Sequence, residues 1–154
     1  MPENEGPSIE EVEAAAMRFL GRRDYGREEL ARKLRKRDFP DQLIEEVLNS
    51  YEEAGYLDDA RFAAVQGAIL ARKCWGPRQI SYKLRSRGID EATVERALDE
   101  IGEDESWTER ARERLQSRFG DPRQLDEKEL ARAYRHLTYR GYSPPLVRRL
   151  LFDD

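Results

Sequence analysis

Apolar side chains recur along this chain at helical spacing. Ile9, Val12, Ala16 and Phe19 fall three or four residues apart, and Ser8 followed by Glu11 gives a capping-box pattern that starts a helix there. Gly26 is expected to end it. Leu30 and Leu34 define a short second helix, and Ile44, Val47, Leu48 and Tyr51 trace the i, i+3, i+4, i+7 stripe of a third. Further on, Pro77 follows Gly76 as a first helical residue before Ile80 and Leu84, and Asp90 caps a helix carrying Val94, Leu98 and Ile101. Trp107, Ala111 and Leu115 mark another helix. Leu130, Ala133 and Leu137 follow Asp126 and Glu129, and Leu146, Val147, Leu150 and Leu151 follow Ser143 and Pro144. No segment sustains the period-two alternation of a half-buried strand, so the pattern predicts an all-α fold without a sheet.

Self-comparison organises these helices. RDFPDQLIEEVL (37–48), RGIDEATVERAL (87–98) and RGYSPPLVRRLL (140–151) superpose without gaps. At an offset of 50 residues the first two copies also match upstream, Leu20 with Leu70, Tyr25 with Trp75, Gly26 with Gly76 and Leu34 with Leu84. A period of this length indicates a repeat array. The third copy has a longer connection at 120–126. The expected organisation is three tandem three-helix repeats, 8–57, 58–105 and 106–154, behind an acidic flexible tail at 1–7.

The stretch GYLDDARFA (55–63) raises a chemical question, because adjacent carboxylates can serve as metal ligands or as general acid and base. No third or fourth ligand is visible nearby, which disfavours a metal. The capping reading is simpler. Gly55 stops one helix, Tyr56 and Leu57 pack back over its end, and Asp58 or Asp59 caps the next while the other faces the positive end of its dipole.

Composition bounds the function. Of the 154 residues, 39% are charged and 38% hydrophobic, so burial has to be economical. No run approaches the roughly 20 apolar residues of a membrane span, and the polar start lacks a secretory-signal pattern, so no membrane association and a cytoplasmic location are expected. One cysteine, Cys74, excludes an internal disulfide and a Cys-rich zinc site. The net charge of −4 conceals segregation: residues 18–37 hold nine bases against three acids and 72–87 hold six bases and no acid, whereas 45–59 hold six acids and no base. One face can therefore be positive on an acidic protein.

With the GYLDDARFA junction, WGPRQISYKLRSRGI (75–89) and YRGYSPPLVRRLL (139–151) in view, residues 14–151 resemble the RecX family of bacterial regulatory proteins. The resemblance implies an elongated all-helical array of three tandem three-helix units. It further implies a negative regulator that binds the groove of the RecA filament on DNA and inhibits its ATPase, strand exchange and coprotease activities. That implies a part in recombination, DNA repair and the SOS response, with no catalytic centre, cofactor or metal. The RecA filament is the expected partner, with weak contact to single- or double-stranded DNA, and the chain is expected to act as a monomer.

A protein lying against a nucleoprotein would meet phosphate through cations spaced along the array. The candidates are Arg32, Lys33, Arg35, Lys36 and Arg37 in the first copy, Arg72, Lys73, Arg78, Lys83, Arg85 and Arg87 in the second, and Arg132, Arg135, Arg140, Arg148 and Arg149 in the third. Solvated helix faces are the plainer reading of such runs. Tyr25 and Trp75, at equivalent positions, read as packing contacts, whereas Tyr82 and Tyr139 lie among bases and suit stacking. His136 has no visible catalytic partner, and Cys74 beside Lys73 has no second cysteine. An enzyme is disfavoured, since there is no Gly-rich phosphate loop, no HExxH and no nucleophile with a base. General DNA binding through a helix-turn-helix and a plain helical scaffold remain as alternatives. Sequence-selective duplex reading is opposed by Glu45, Glu46, Glu52 and Glu53 on the first candidate recognition helix.

Overall fold

A computed structural model describes residues 6–153. Those residues form α1 (Ile9–Leu20), α2 (Arg27–Lys36), α3 (Asp41–Glu53), α4 (Asp59–Arg72), α5 (Pro77–Ser86), α6 (Glu91–Ile101), α7 (Asp104–Arg118), α8 (Glu127–Tyr139) and α9 (Pro144–Phe152). A single 3-10 turn, Pro122–Gln124, lies in the long connection before α8, and no strand occurs among the described residues. Of the expected acidic tail, residues 1–5 fall outside the described residues. The chain divides into two compact units, one running through Phe62 with the turn Arg87–Ile89, the other comprising Ala63–Ser86 and Asp90 onward.

In the first unit, α1, α2 and α3 pack on one another. Val12, Leu30, Leu34, Ile44, Val47 and Leu48 are wholly or almost wholly buried, as their helical spacing predicts. The Ser8 hydroxyl accepts from the Glu11 amide and starts α1. Gly26, expected to end α1, instead stands immediately before α2, because α1 already stops at Leu20 and Gly21 closes it. A glycine has no side chain with which to cap a helix. The cap comes from Asp59, whose Oδ1 accepts the Arg27 amide at 2.8 Å. Asp58 caps its own helix, accepting the Arg61 amide at 3.1 Å. The paired carboxylates thus serve two helix N-termini, one each, a division the linear sequence does not display.

Arg87 completes this joint. Its guanidinium donates to both carboxylate oxygens of Glu29, at 2.8 and 3.2 Å, and lies 4.7 Å from the Phe62 ring centroid. Burial alone would raise the pKa of Glu29, but hydrogen bonds and charge from Arg87 and Arg23 outweigh it and hold the group below the usual glutamate value. Gly88, at φ +86°, brings its backbone so close to Glu28 that an added Cβ would stand 2.5 Å from the Glu28 Cβ.

The second unit builds a corresponding joint from the equivalent residues of the next repeats. The Gly76 amide donates to the Arg140 carbonyl at 2.7 Å and the Arg78 amide to the Gly141 carbonyl at 3.0 Å. A Cβ on Gly141, at φ +104°, would stand 2.5 Å from the Gln79 nitrogen. Arg140 stacks 3.7 Å above the Trp75 ring centroid and donates to the carbonyls of Lys73 and Cys74, while the buried Tyr142 hydroxyl donates to the Cys74 carbonyl at 2.9 Å. Burial pushes the Tyr142 phenol well above its ordinary pKa, so it remains a donor. Around this joint α5 packs on α6, α8 on α9, and α7 on both α8 and α9. Asp126 and Glu129 form a reciprocal capping box at the start of α8, and the Ser143 hydroxyl accepts the Leu146 amide to start α9.

Candidate polyanion-binding surface

Two members of the first cationic cluster, Arg32 and Arg35, stand beside carboxylates. α2 opens with Glu28 and Glu29 and ends in bases, an order that suits the helix dipole and places opposite charges one to two turns apart. Arg35 bonds Glu28 and Asp41, both at 3.2 Å, and Arg32 lies 3.9 Å from Glu28. Arg37 sits 5.9 Å from the Phe19 ring centroid, Lys36 is exposed and Lys33 is half-buried. Arg87 and Arg140 are committed to the two joints described above.

The second unit is different. Helix α5 contains no acidic residue, and Arg78, Tyr82 and Arg85 recur on one exposed face, with Tyr82 63% exposed. Lys83 places its ammonium 4.2 Å from the centroid of Trp75, opposite in sequence to the Arg140 contact, so a half-buried indole is held by two cations. Tyr139, 66% exposed, lies 6.2 Å from Trp75, and its carbonyl accepts from the Gln79 amide group at 3.1 Å. Arg72 and Lys73 are exposed at the end of α4, and Arg148 and Arg149 are exposed on α9.

From Tyr139 the surface continues into a groove of about 880 Å³ between α7 and α8. Its charged lining comprises Arg114 and Arg118 of α7, Arg132 and Arg135 of α8, and one acid, Glu129, whose Oε1 is occupied by the Asp126 amide at 3.0 Å. Among the described residues, none of these arginines forms an ion pair with a carboxylate. The Arg114 guanidinium instead donates through Nε to Nε2 of His136 at 3.0 Å. That bond requires an unprotonated imidazole nitrogen. Burial, reinforced by the charges of Arg114, Arg118 and Arg140, lowers the His136 pKa to about 4. At neutral pH the histidine is therefore an uncharged acceptor that orients Arg114, and the groove keeps its positive excess.

Of the sequence candidates, the groove brings together Arg132 and Arg135, while Arg78, Lys83 and Arg85 stand on the α5 side of the Trp75 cluster. Arg114 and Arg118 were not among those candidates. Their i, i+4 spacing on α7 was the available signal, masked by acidic residues in the same helix, TERARERLQSR, that point elsewhere. Among the described residues no group of three or more His, Cys, Asp or Glu side chains is arranged to hold a metal ion, and no helix is long and apolar enough to cross a membrane.

Fold and surface together define an all-helical protein of three tandem three-helix domains that carries a cationic, aromatic-bearing face. Models of the first, second and third three-helix domains of RecX match residues 14–50, 58–98 and 104–151. The regulatory protein RecX of Pseudomonas syringae pv. tomato is 41% identical over 91% of this chain and 89% of its own length. That of Ectopseudomonas mendocina is 41% identical over 91% and 92%. The chain belongs to the RecX family. Its fold is shared with the crystal structure of RecX from Lactobacillus salivarius, at a TM-score of 0.79 and 22% identity over 93% of this chain and 94% of that one.

Proposed function

We propose that this protein is a cytoplasmic negative regulator of the RecA recombinase that acts without catalysis of its own, lying in the groove of the RecA–DNA filament and inhibiting ATPase, strand exchange and coprotease activity. Family membership supports RecA as the partner. The carrying observation is the run of arginines on the second unit that have no carboxylate partner among the described residues, which suits a polyanionic assembly although the protein itself has a net charge of −4. Helix α3, with Glu45, Glu46, Glu52 and Glu53 exposed, is a poor fit to a duplex groove, which argues against sequence-selective DNA reading. Co-sedimentation with RecA filaments on single-stranded DNA tests the reading. Pelleting with filaments, weakened by salt, is expected; a protein that stays in the supernatant at low and moderate salt contradicts it.

A further inference from the structure

We infer that the α7–α8 groove is a site for the phosphodiester backbone of single-stranded nucleic acid, with Arg118, Arg132 and Arg135 meeting successive phosphates, Arg114 held among them by His136, and Tyr139 offering its ring to a base. This rests on the regulatory reading above and adds the component of the nucleoprotein that the third repeat touches.

Four observations carry it. All the cations of the groove are arginines, the side chain whose planar fork matches phosphate oxygens in pairs, and none is spent on a carboxylate among the described residues. The His136 contact orients Arg114 without neutralising it, since an imidazole acceptor leaves the guanidinium charge intact where a carboxylate would cancel it. Arg132, Arg135 and Tyr139 recur at helical spacing along α8, a stretch of about 10 Å at 1.5 Å per residue, so the surface suits a chain of phosphates more than one small anion. Tyr139, tilted against Trp75 on one side, is a largely exposed aromatic at the end of that line, and its solvent-facing surface offers a platform for an unpaired base, which a duplex would not present. A negatively charged peptide could also be attracted by the arginines, but its acidic side chains would make no use of the exposed part of the Tyr139 ring.

The experiment uses the full chain and a short fluorescent oligothymidylate, without RecA. Binding is measured by anisotropy across a salt series for the wild type, for Arg118→Glu/Arg132→Glu/Arg135→Glu, for Tyr139→Ala, and for Arg18→Glu/Arg22→Glu, exposed cations of the first unit, as a control, with helicity checked by circular dichroism. The groove variant is expected to lose about tenfold or more in affinity, and its log–log salt slope to become shallower by about 2, from roughly 0.7 per phosphate contact. A milder Arg132→Gln/Arg135→Gln variant covers the case in which charge reversal disturbs folding. Tyr139→Ala is expected to weaken binding several-fold with the slope unchanged, and the control to bind as the wild type does. A second readout is local: His136 is the one histidine of the chain, so its ring proton resonance reports this groove alone, and bound phosphate should raise its pKa from about 4. Failure of the strand to bind, equal binding by the groove variant, or an unmoved His136 resonance would overturn the inference. So would free thymidine triphosphate acting as well as the strand at equal phosphate concentration, or an acidic peptide outcompeting it. A wild type that binds the strand and loses it in the groove variant, yet does not pellet with RecA filaments, would instead leave the site standing and remove the regulatory reading.

Discussion

The tightest constraint in the second unit is the backbone approach at Gly141, and Gly141→Ala measures it. At φ +104° an L-residue is strained by about 1–2 kcal/mol. The new methyl would also stand 2.5 Å from the Gln79 nitrogen and 2.9 Å from its Cβ, where non-bonded carbons prefer about 3.5–4.0 Å, so the two segments have to separate by about 1 Å. Such overpacking costs about 1–3 kcal/mol. Separation also stretches the backbone bonds from Gly76 to Arg140 and from Arg78 to Gly141, each contributing about 1 kcal/mol. The expected loss is about 4–7 kcal/mol, a large part of the roughly 5–15 kcal/mol of a typical domain. Gly55→Ala is the matched control: φ there is +85° but nothing lies within 4 Å of the added Cβ, so only the conformational strain of about 1–2 kcal/mol applies. Urea unfolding followed by helical circular dichroism reads both. If the two variants unfold at the same midpoint, the close approach at Gly141 contributes nothing and the joint has been misread.

Other consequences follow from the same contacts. Asp59→Ala should destabilise the first unit by about 1 kcal/mol or more through loss of the α2 cap, and Asp58→Ala by about the same through α4; amide hydrogen exchange distinguishes them, with Asp59→Ala releasing protection at the start of α2. Because Arg87 and Arg23 lower the Glu29 pKa, Glu29 contributes stability above the ordinary glutamate range that is lost as pH falls through its folded value; Glu29→Gln should flatten that acid limb in pH-dependent unfolding. His136 has a folded pKa of about 4 against an ordinary value of 6.5, so it also favours the fold above 6.5 and loses that contribution as pH drops toward 4; His136→Gln, which cannot charge, should remove this dependence. Arg140→Ala should expose Trp75 and shift its emission to the red, and an unshifted spectrum would show that the guanidinium does not cover the indole.

The helices were legible because burial here depends on narrow stripes. Leu30 and Leu34, or Ile44, Val47, Leu48 and Tyr51, could face inward together only at a 3.6-residue period, and they do. The repeat of the Arg-Gly turn was likewise visible, but its purpose was not, since the partners of Arg87 and Arg140 lie 58 and 66 residues away in sequence. The same limit explains Asp59, which caps a helix 32 residues upstream of itself. Charge runs located cations without revealing which were spent. Arg35 and Arg87 looked as available as Arg132 until their carboxylates were in place, and Arg114 and Arg118 were hidden among the acids of a helix whose faces the linear sequence interleaves.

The single-stranded-DNA-dependent ATPase rate of RecA, followed while this protein is titrated from far below stoichiometric to equimolar, tests the regulatory proposal most directly. A fall at substoichiometric amounts is predicted, because one molecule in the filament groove would affect many subunits, and Arg118→Glu/Arg132→Glu/Arg135→Glu should weaken it. An unchanged rate up to equimolar, at both low and moderate salt, would contradict the proposal.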